Sequence, residues 1–350
     1  MNTPVQVHAR RSDYSLTDEQ QELRAVFTAF FARECPSTRV RAAEPLGFDD
    51  ALWQQLVELD VVRMALPTSR GGDGAGLVDL ALVTEQQGAA LAPVPLPEAL
   101  TAARLLAAVD APALDAVRDG SVLAAIALVP QPPGAAQLVP GAAVAGFVVG
   151  LDGDDLVQVV PAAPVGSTHN LGAAALGWCD LSAPGSQRTV LASGVRAREA
   201  FSTAVEEWKI LMSAALVGLA RSALELSVQY AKDRCAFDVP IGTFQAVAHP
   251  LADVAIAVEG GRRLVWRAAW FLDHDPTNAR ALVPMAYLHA CETANRASTV
   301  GIHTQGGFGF TLESDMQLHF RRAKGWALVA GDPLQELVTI ADACYGAVGA

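Results

Sequence analysis

The sequence predicts a mainly α-helical protein with a β insert near its middle. Apolar residues recur at helical spacing over the first third, short Val, Ala and Leu runs broken by Gly and Pro follow, and long helical segments fill the C-terminal part. The chain has 350 residues, which exceeds the usual size of one hydrophobic core. We therefore expect an N-terminal helical domain over 1–118, a small, shortened middle β domain over 119–198 and a C-terminal four-helix bundle over 199–350.

The first helix begins at a capping signal. Thr17-Asp-Glu-Gln20 has capping-box form, and apolar residues from Leu23 to Phe31 follow at helical spacing. Further helical patterns cover about 49–60, 77–91 and 96–109. The first third of the chain is therefore predicted to be helical.

The middle segment has a different character. Its strand-like runs are 122–130, 143–161 and 188–195, each bounded or interrupted by Gly or Pro. The helical period then returns in four segments, 205–233, 244–273, 280–300 and 333–347. Asp332 is predicted to cap the last of these, since Pro333 suits a first helical position.

Composition excludes several classes of function. A net charge of -12 argues against a nucleic-acid partner, and 51% apolar residues with 18% charged ones favour an oligomer. Five widely spaced cysteines without a C-x-x-C pair predict a reduced, cytoplasmic protein without a metal site. We expect no membrane span, because prolines interrupt the uncharged run over 120–151, and no secretory signal at the N-terminus.

Two C-terminal segments carry the clearest motifs. Arg234–Gln245 reads RCAFDVPIGTFQ, and His303–Phe310 reads HTQGGFGF. With Gly218–Arg234 before them and Arg321–Lys324 after them, they make residues 200–345 resemble the acyl-CoA dehydrogenase family. The helix–β–helix order is also the layout of that family. The resemblance implies an FAD cofactor and an acyl-CoA substrate.

The resemblance implies that this chain contacts FAD bound to a neighbouring subunit. Arg234 would clamp the pyrophosphate, because a guanidinium can bind two phosphate oxygens at once. Gly306 and Gly307 would let the backbone approach the same cofactor, because a Cβ would hold it away. Taken in isolation, Arg234 would instead be a charge at a helix C-terminus that complements the helix dipole, and the two glycines a helix cap.

Three further residues complete the predicted cofactor set. The resemblance implies contacts from Phe237 and Gln245. His303 stands where the family usually has a Gln, and it could donate one hydrogen bond to the flavin nucleotide. The alternative for His303 is an imidazole hydrogen-bonded within a subunit interface.

The catalytic base is missing from both places where the resemblance implies one. Dehydrogenation requires a carboxylate to take the α-proton, and these positions carry Trp208 and Ala330. Glu207 is a candidate base, but an offset of one residue rotates a helical side chain by roughly 100°. The alternative is that Glu207 is a solvated carboxylate.

The β segment also departs from the family. The resemblance implies a loop and a strand that hold the isoalloxazine, whereas Ile126–Gly134 passes here directly to Val139–Gly146. We interpret this as loss of the segment that covers the flavin.

These observations predict a subunit of a heteromeric FAD-dependent acyl-CoA dehydrogenase without a base of its own. It resembles the partner subunits of actinobacterial enzymes that act on steroid side-chain CoA thioesters, and α2β2 is one expected form of the hetero-oligomer. One alternative is a self-sufficient homotetramer with Glu207 or another carboxylate as base. Another is a non-enzymatic acyl-CoA-binding or scaffold protein.

Overall fold

The computed structural model describes residues 15–44 and 46–346. It confirms a mainly helical chain with β strands near the middle. The predicted absence of a secretory signal falls largely on residues 1–14, outside the described residues. The helices are α1 (Asp18–Glu34), α2 (Ser37–Ala42), α3 (Asp50–Glu58), α4 (Val61–Met64), α5 (Leu77–Ala89), α6 (Leu96–Ala108), α7 (Leu114–Arg118), α8 (Gly194–Asp233), α9 (Gln245–His274), α10 (Pro276–Gln305), α11 (Met316–Ala327) and α12 (Glu336–Tyr345).

The chain divides into two compact units that are discontinuous in sequence. The first comprises residues up to Thr38, then Leu77–Ala92 and the chain from Lys209 onward. The second comprises Arg39–Gly76 and Pro93–Trp208. This division differs from the three predicted domains, because the N-terminal helices are shared between the two units. The predicted domain boundaries stay predictions.

The second unit contains the main sheet. The strands are β1 (Ala124–Ile126), β2 (Gln137–Val139), β3 (Phe147–Asp152), β4 (Asp155–Val160), β5 (Gly177–Cys179) and β6 (Gln187–Ser193). Four of them form a sheet in the order β1-β3-β4-β6, in which β1 and β3 are parallel and the other pairs antiparallel. β2 and β5 form a separate antiparallel pair. The three predicted strand-like runs overlap the four strands of the main sheet, and only β6 begins outside its run, by one residue.

The core of this sheet is built from small and branched side chains. Ala125, Val148, Val157 and Leu181 are buried together in one cluster. Such residues suit a pleated surface that is covered on one face. β2 and β5 were not predicted, because three residues are too few to show an alternating pattern.

The first unit is a helical bundle. Thr17 and Gln20 form the predicted capping box at the start of α1. α9 and α10 are 30 residues each and pack against one another, and α10 also packs against α11 and α12. Asp332 caps the short 3-10 turn before α12 by accepting from the Leu334 amide at 3.0 Å, as predicted.

α5 and α8 touch backbone to backbone within this unit. A Cβ at Gly218 would lie 1.9 Å from the Glu85 carbonyl oxygen, and a Cβ at Gly88 would lie 1.9 Å from that of Ala215. The buried Glu85 carboxylate also accepts from Arg262 of α9 at 3.1 Å. Glycine is therefore required at both helix positions by the close approach of the neighbouring chain.

α8 begins eleven residues before its predicted start at 205. Its first turns are rich in polar residues, yet Ala197, Phe201 and Ala204 lie buried at helical spacing. Within the described residues, α8 is the helix long and apolar enough to cross a membrane. Its most apolar stretch is 72% buried inside the protein, which is typical of a core helix.

We predict that Gly218→Ala destabilises the protein by about 3 kcal/mol, because the new methyl group meets backbone that cannot move aside. Gly260→Ala is the matched control, since a Cβ there meets nothing within 4 Å. It should stabilise the helix by about 0.5 to 1 kcal/mol. Chemical denaturation of both variants measures the difference. Equal stability of the two variants would contradict the backbone contact.

Candidate functional site

The predicted cofactor residues of α8 and α9 flank a tight hairpin. α8 ends at Asp233, and β7 (Cys235–Ala236) pairs with β8 (Val239–Pro240). The two turn residues, Phe237 and Asp238, have φ of 54° and 65°, a conformation that bulky residues rarely adopt. The Phe237 ring is 90% exposed and contacts the Phe244 ring edge to face at 6.2 Å. The turn therefore displays an aromatic ring at the surface at a cost in backbone energy.

Arg234 presents a guanidinium without a partner. Its backbone is fixed, because its amide donates to Tyr230 at 2.9 Å and its carbonyl accepts from Ile241 at 2.8 Å. Among the described residues, nothing forms a hydrogen bond or ion pair with its exposed side chain. Gln245, the first residue of α9, is exposed as well. An anion could therefore bind Arg234 without displacing an internal contact.

The glycine pair follows α10 and faces open space. The Gly306 amide donates to the His303 carbonyl, and Gly306 has φ of 60°. A Cβ at Gly306 or at Gly307 would meet nothing within 4 Å. Packing inside the chain therefore does not explain Gly307, whereas close approach by another molecule would.

His303 is exposed beside these glycines. Within the described part of the chain, no hydrogen bond, ion pair or ring contact joins His303, Gly306 or Gly307 to the hairpin. These residues and the hairpin are two exposed surfaces of one unit. Contacts among the described residues do not join these two surfaces into one closed site.

A cavity of about 420 Å³ adjoins the hairpin. Residues of α8 and α9 line it together with Pro240, Gly242 and Thr243. Lys232 is its one charged lining residue among the described residues. The lining of the cavity is therefore mainly apolar.

Both predicted base positions lack a carboxylate. Ala330 lies in the turn after α11 and is partly exposed. Trp208 is 0% exposed, and its indole Nε1 donates to Oε1 of Glu98 at 3.0 Å. The place where the resemblance implies a base is therefore filled by a ring that is hydrogen-bonded to a carboxyl group on α6.

Glu98 is a residue that the sequence reasoning missed. It lies in the first turn of α6 and is 4% exposed. Burial raises the pKa of its carboxyl, and the hydrogen bond from Trp208 offsets this in part. A signal was available, because Glu98 and Arg104 are the only charged residues between 89 and 109. A lone charge in an apolar helix predicts a buried partner.

Glu207 is held by an arginine. Its two carboxylate oxygens accept from Nε and Nη2 of Arg104 at 2.9 and 2.8 Å, and both side chains are largely buried. Arg104 also donates to the Ala65 carbonyl at 3.3 Å. Glu207 is thus neither solvated nor free, and its assignment as a base stays a prediction. This bidentate ion pair links α6 to the part of α8 that contains Glu207.

Gln131, in the loop between β1 and β2, is hydrogen-bonded through both ends of its side-chain amide. The buried Gln131 amide nitrogen lies at hydrogen-bond distance from Pro132 O, Ala135 O and Asp180 Oδ1. Its oxygen accepts from the Gln137 side chain and the Leu181 amide. This side chain has no remaining donor or acceptor for a ligand.

The buried thiols of Cys179 and Cys291 are poor nucleophiles. Burial raises the pKa of the Cys291 thiol to about 12 and that of Cys179 to about 11, so both stay protonated at neutral pH. Over residues 15–44 and 46–346, no group of three or more His, Cys, Asp or Glu side chains could hold a metal ion.

We predict that Glu98→Gln changes how stability depends on pH. The folded-state pKa of Glu98 is raised above its usual 4.5, so wild type loses this contribution to stability as pH rises through the folded pKa. Glutamine keeps an acceptor for Trp208 but cannot ionise. The unfolding midpoint of the variant should therefore rise relative to wild type as the pH rises above about 4.5. Glu199→Gln, an exposed position on α8, is the control, and a pH-independent difference for Glu98→Gln would refute the assignment.

We predict that Glu207→Leu costs about 3 kcal/mol of stability, because it leaves the Arg104 guanidinium buried without its counterion. The double variant Arg104→Met/Glu207→Leu should recover most of this loss, since neither charge then remains. Denaturant titration of the two variants measures both effects. If the single variant is as stable as wild type, the ion pair has no structural role.

Comparison with known proteins places these features in a family. The N-terminal domain of acyl-CoA dehydrogenases matches residues 17–110, and their C-terminal domain matches 198–343. Acyl-CoA dehydrogenase IpdE2 of Mycobacterium tuberculosis is 32% identical over 331 residues, covering 91% of this chain and 95% of its own.

Two solved complexes are similar in fold and sequence. A variant of the Tcur3481–Tcur3483 steroid acyl-CoA dehydrogenase has a TM-score of 0.82 at 26% identity, covering 93% of this chain and 97% of that one. The ChsE4–ChsE5 complex of Mycobacterium tuberculosis has a TM-score of 0.78 at 25% identity, covering 93% and 96%. The exposed Arg234 and Gly306-Gly307 surfaces thus lie on a chain that belongs to the acyl-CoA dehydrogenase family.

Proposed function

We propose that this chain is the partner subunit of a heteromeric, FAD-dependent acyl-CoA dehydrogenase and has no catalytic base of its own. The reaction removes the α-proton of an acyl-CoA thioester to a carboxylate and the β-hydride to the flavin. In this proposal a homologous subunit supplies the carboxylate. This chain completes the cofactor site.

The state of position 208 carries the proposal. A base must have a free carboxylate, and this position has a buried indole whose N–H is bound to Glu98. The nearest acidic neighbour in sequence, Glu207, has both oxygens bound to Arg104. Neither residue is available to take a proton from a substrate carbon.

The residues of the first unit fit the nucleotide half of FAD. Arg234 has a free guanidinium for the pyrophosphate, Gly306 and Gly307 leave space for close approach, and Phe237, Gln245 and His303 are exposed for further contacts. When bound, FAD supplies the hydride acceptor. The Gln131 side chain is saturated by partners within this chain, so we assign the isoalloxazine to the partner's β domain. The cofactor is then shared between two chains.

The substrate class and location are part of the proposal. The Tcur3481–Tcur3483 complex is a steroid acyl-CoA dehydrogenase, and a steroid side-chain CoA thioester is the substrate we propose for the assembly. ChsE4–ChsE5 is also a complex of two different chains, which supports a hetero-oligomer such as α2β2. The five free cysteines suit the reducing cytoplasm.

We predict that the chain purified alone holds little FAD and has no dehydrogenase activity, whereas co-expression with a complete homologous subunit restores both. Arg234→Ala in the complex should weaken FAD binding about tenfold to a hundredfold, because one charged phosphate contact is lost. Flavin absorbance per chain and FAD titration measure this. Arg280→Ala is the control, since Arg280 is also exposed in the same unit.

Stoichiometric FAD and turnover in the lone chain would falsify the proposal. That outcome would favour the self-sufficient homotetramer, and loss of turnover in Glu207→Gln with FAD retained would then identify Glu207 as its base. Binding of acyl-CoA by the lone chain, with no FAD bound even in the presence of a partner, would favour a non-enzymatic acyl-CoA-binding protein.

A further inference from the structure

The buried pair of Trp208 and Glu98 does more than remove a base. The proposed function needs only that position 208 lacks a carboxylate, and a small residue would satisfy it. The chain has instead its largest side-chain type there, completely buried and bound to a second buried polar group. The inference below rests on the proposed function, because the resemblance identifies position 208 as a base position.

A base position marks where the substrate must lie. General-base catalysis requires the carboxylate to be within about 2.6 to 3.2 Å of the group that loses the proton. The acyl α-carbon of a bound thioester would therefore lie directly beside residue 208. In this chain the Trp208 ring has no exposed surface, so no acyl group can reach that place unless the ring moves.

Neighbouring contacts keep the ring in place. If the indole moved, Glu98 would lose its hydrogen bond inside the protein, at a cost of about 1 to 3 kcal/mol. The next residue, Glu207, is bound through both oxygens to Arg104, which lies on α6 with Glu98. Arg104 is in turn bound to the Ala65 carbonyl. Glu207 and Trp208 of α8 are thus both bound to α6, the first through an ion pair and the second through a hydrogen bond.

We infer that Trp208 and Glu98 close the acyl site of this chain. The chain accepts no acyl group at position 208 of α8, and in the proposed assembly the partner subunit binds the acyl part of the substrate there. Each pair of chains then takes one acyl group. Trp208 is the residue that excludes it, and Glu98 is the positioning residue that holds the Trp208 ring.

Calorimetry on the full-length chain with CoA and with octanoyl-CoA tests the inference. The affinities of wild type for CoA and for octanoyl-CoA should agree within a factor of two, or neither should bind, because Trp208 closes the acyl site. Trp208→Ala should bind octanoyl-CoA at least tenfold more tightly than CoA, since the ring leaves an apolar space. Trp326→Ala, which truncates a buried tryptophan of α11, should behave as wild type.

Two variants guard against loss of folding. Trp208→Phe keeps most of the volume without the N–H and should remain folded and show no preference for octanoyl-CoA. Glu98→Ala frees the ring and should show a smaller preference than Trp208→Ala. A tenfold preference in wild type, or no preference in a folded Trp208→Ala, overturns the inference. If Trp208→Ala does not fold, Glu98→Ala takes its place. A folded Glu98→Ala that shows no preference for octanoyl-CoA over CoA then overturns the inference.

Flavin content separates the two proposals. A wild-type chain that holds FAD alone, yet does not prefer octanoyl-CoA, overturns the shared cofactor and keeps the closed site. A chain without FAD that prefers octanoyl-CoA overturns the closed site and keeps the partner-subunit role.

Discussion

The direct contact between the backbones of α5 and α8 is the constraint on which the helical unit depends. Two glycines, Gly88 and Gly218, allow it, and each faces the carbonyl of the opposite helix. The side chain of Glu85, whose carbonyl faces Gly218, also binds Arg262 of α9. The same contact thus fixes how far apart two helices lie and which face of α8 is turned inward. The rotation fixed here therefore determines where the side chains of α8 point within the helical unit, from Lys209 onward.

The pattern of satisfied and unsatisfied polar groups distinguishes structural residues from binding residues. Glu98, Arg104 and Glu207 all have partners within the chain, and the side-chain amide of Gln131 is fully hydrogen-bonded there as well. Among the described residues, none binds the side chain of Arg234, although its backbone is firmly held. A fixed, exposed guanidinium beside an aromatic turn is what the proposed nucleotide contact requires. This contrast between Arg234 and the paired residues supports the proposal that the chain binds a nucleotide and carries out no chemistry on the acyl group.

The sequence predicts local features better than contacts between distant residues. The capping box at Thr17 and the cap at Asp332 were predictable, because each depends on a few consecutive residues. The early start of α8 was not, because its first turns are polar and are helical through the burial of Ala197 and Phe201. The partner of Trp208 was not predictable either, since Glu98 is 110 residues away. Position 208 could be identified from a motif, whereas its effect on the site depends on tertiary packing.

The pairing of Trp208 with Glu98 also limits how such a chain can evolve. Replacing Trp208 by glutamate would restore a carboxylate at the family position, but beside one that is already buried. Two carboxylates in one buried site cannot both ionise readily, so the new residue would be coupled to Glu98 through one shared proton. Under the proposed function, the basicity of a carboxylate restored at position 208 would therefore depend on its neighbour on α6.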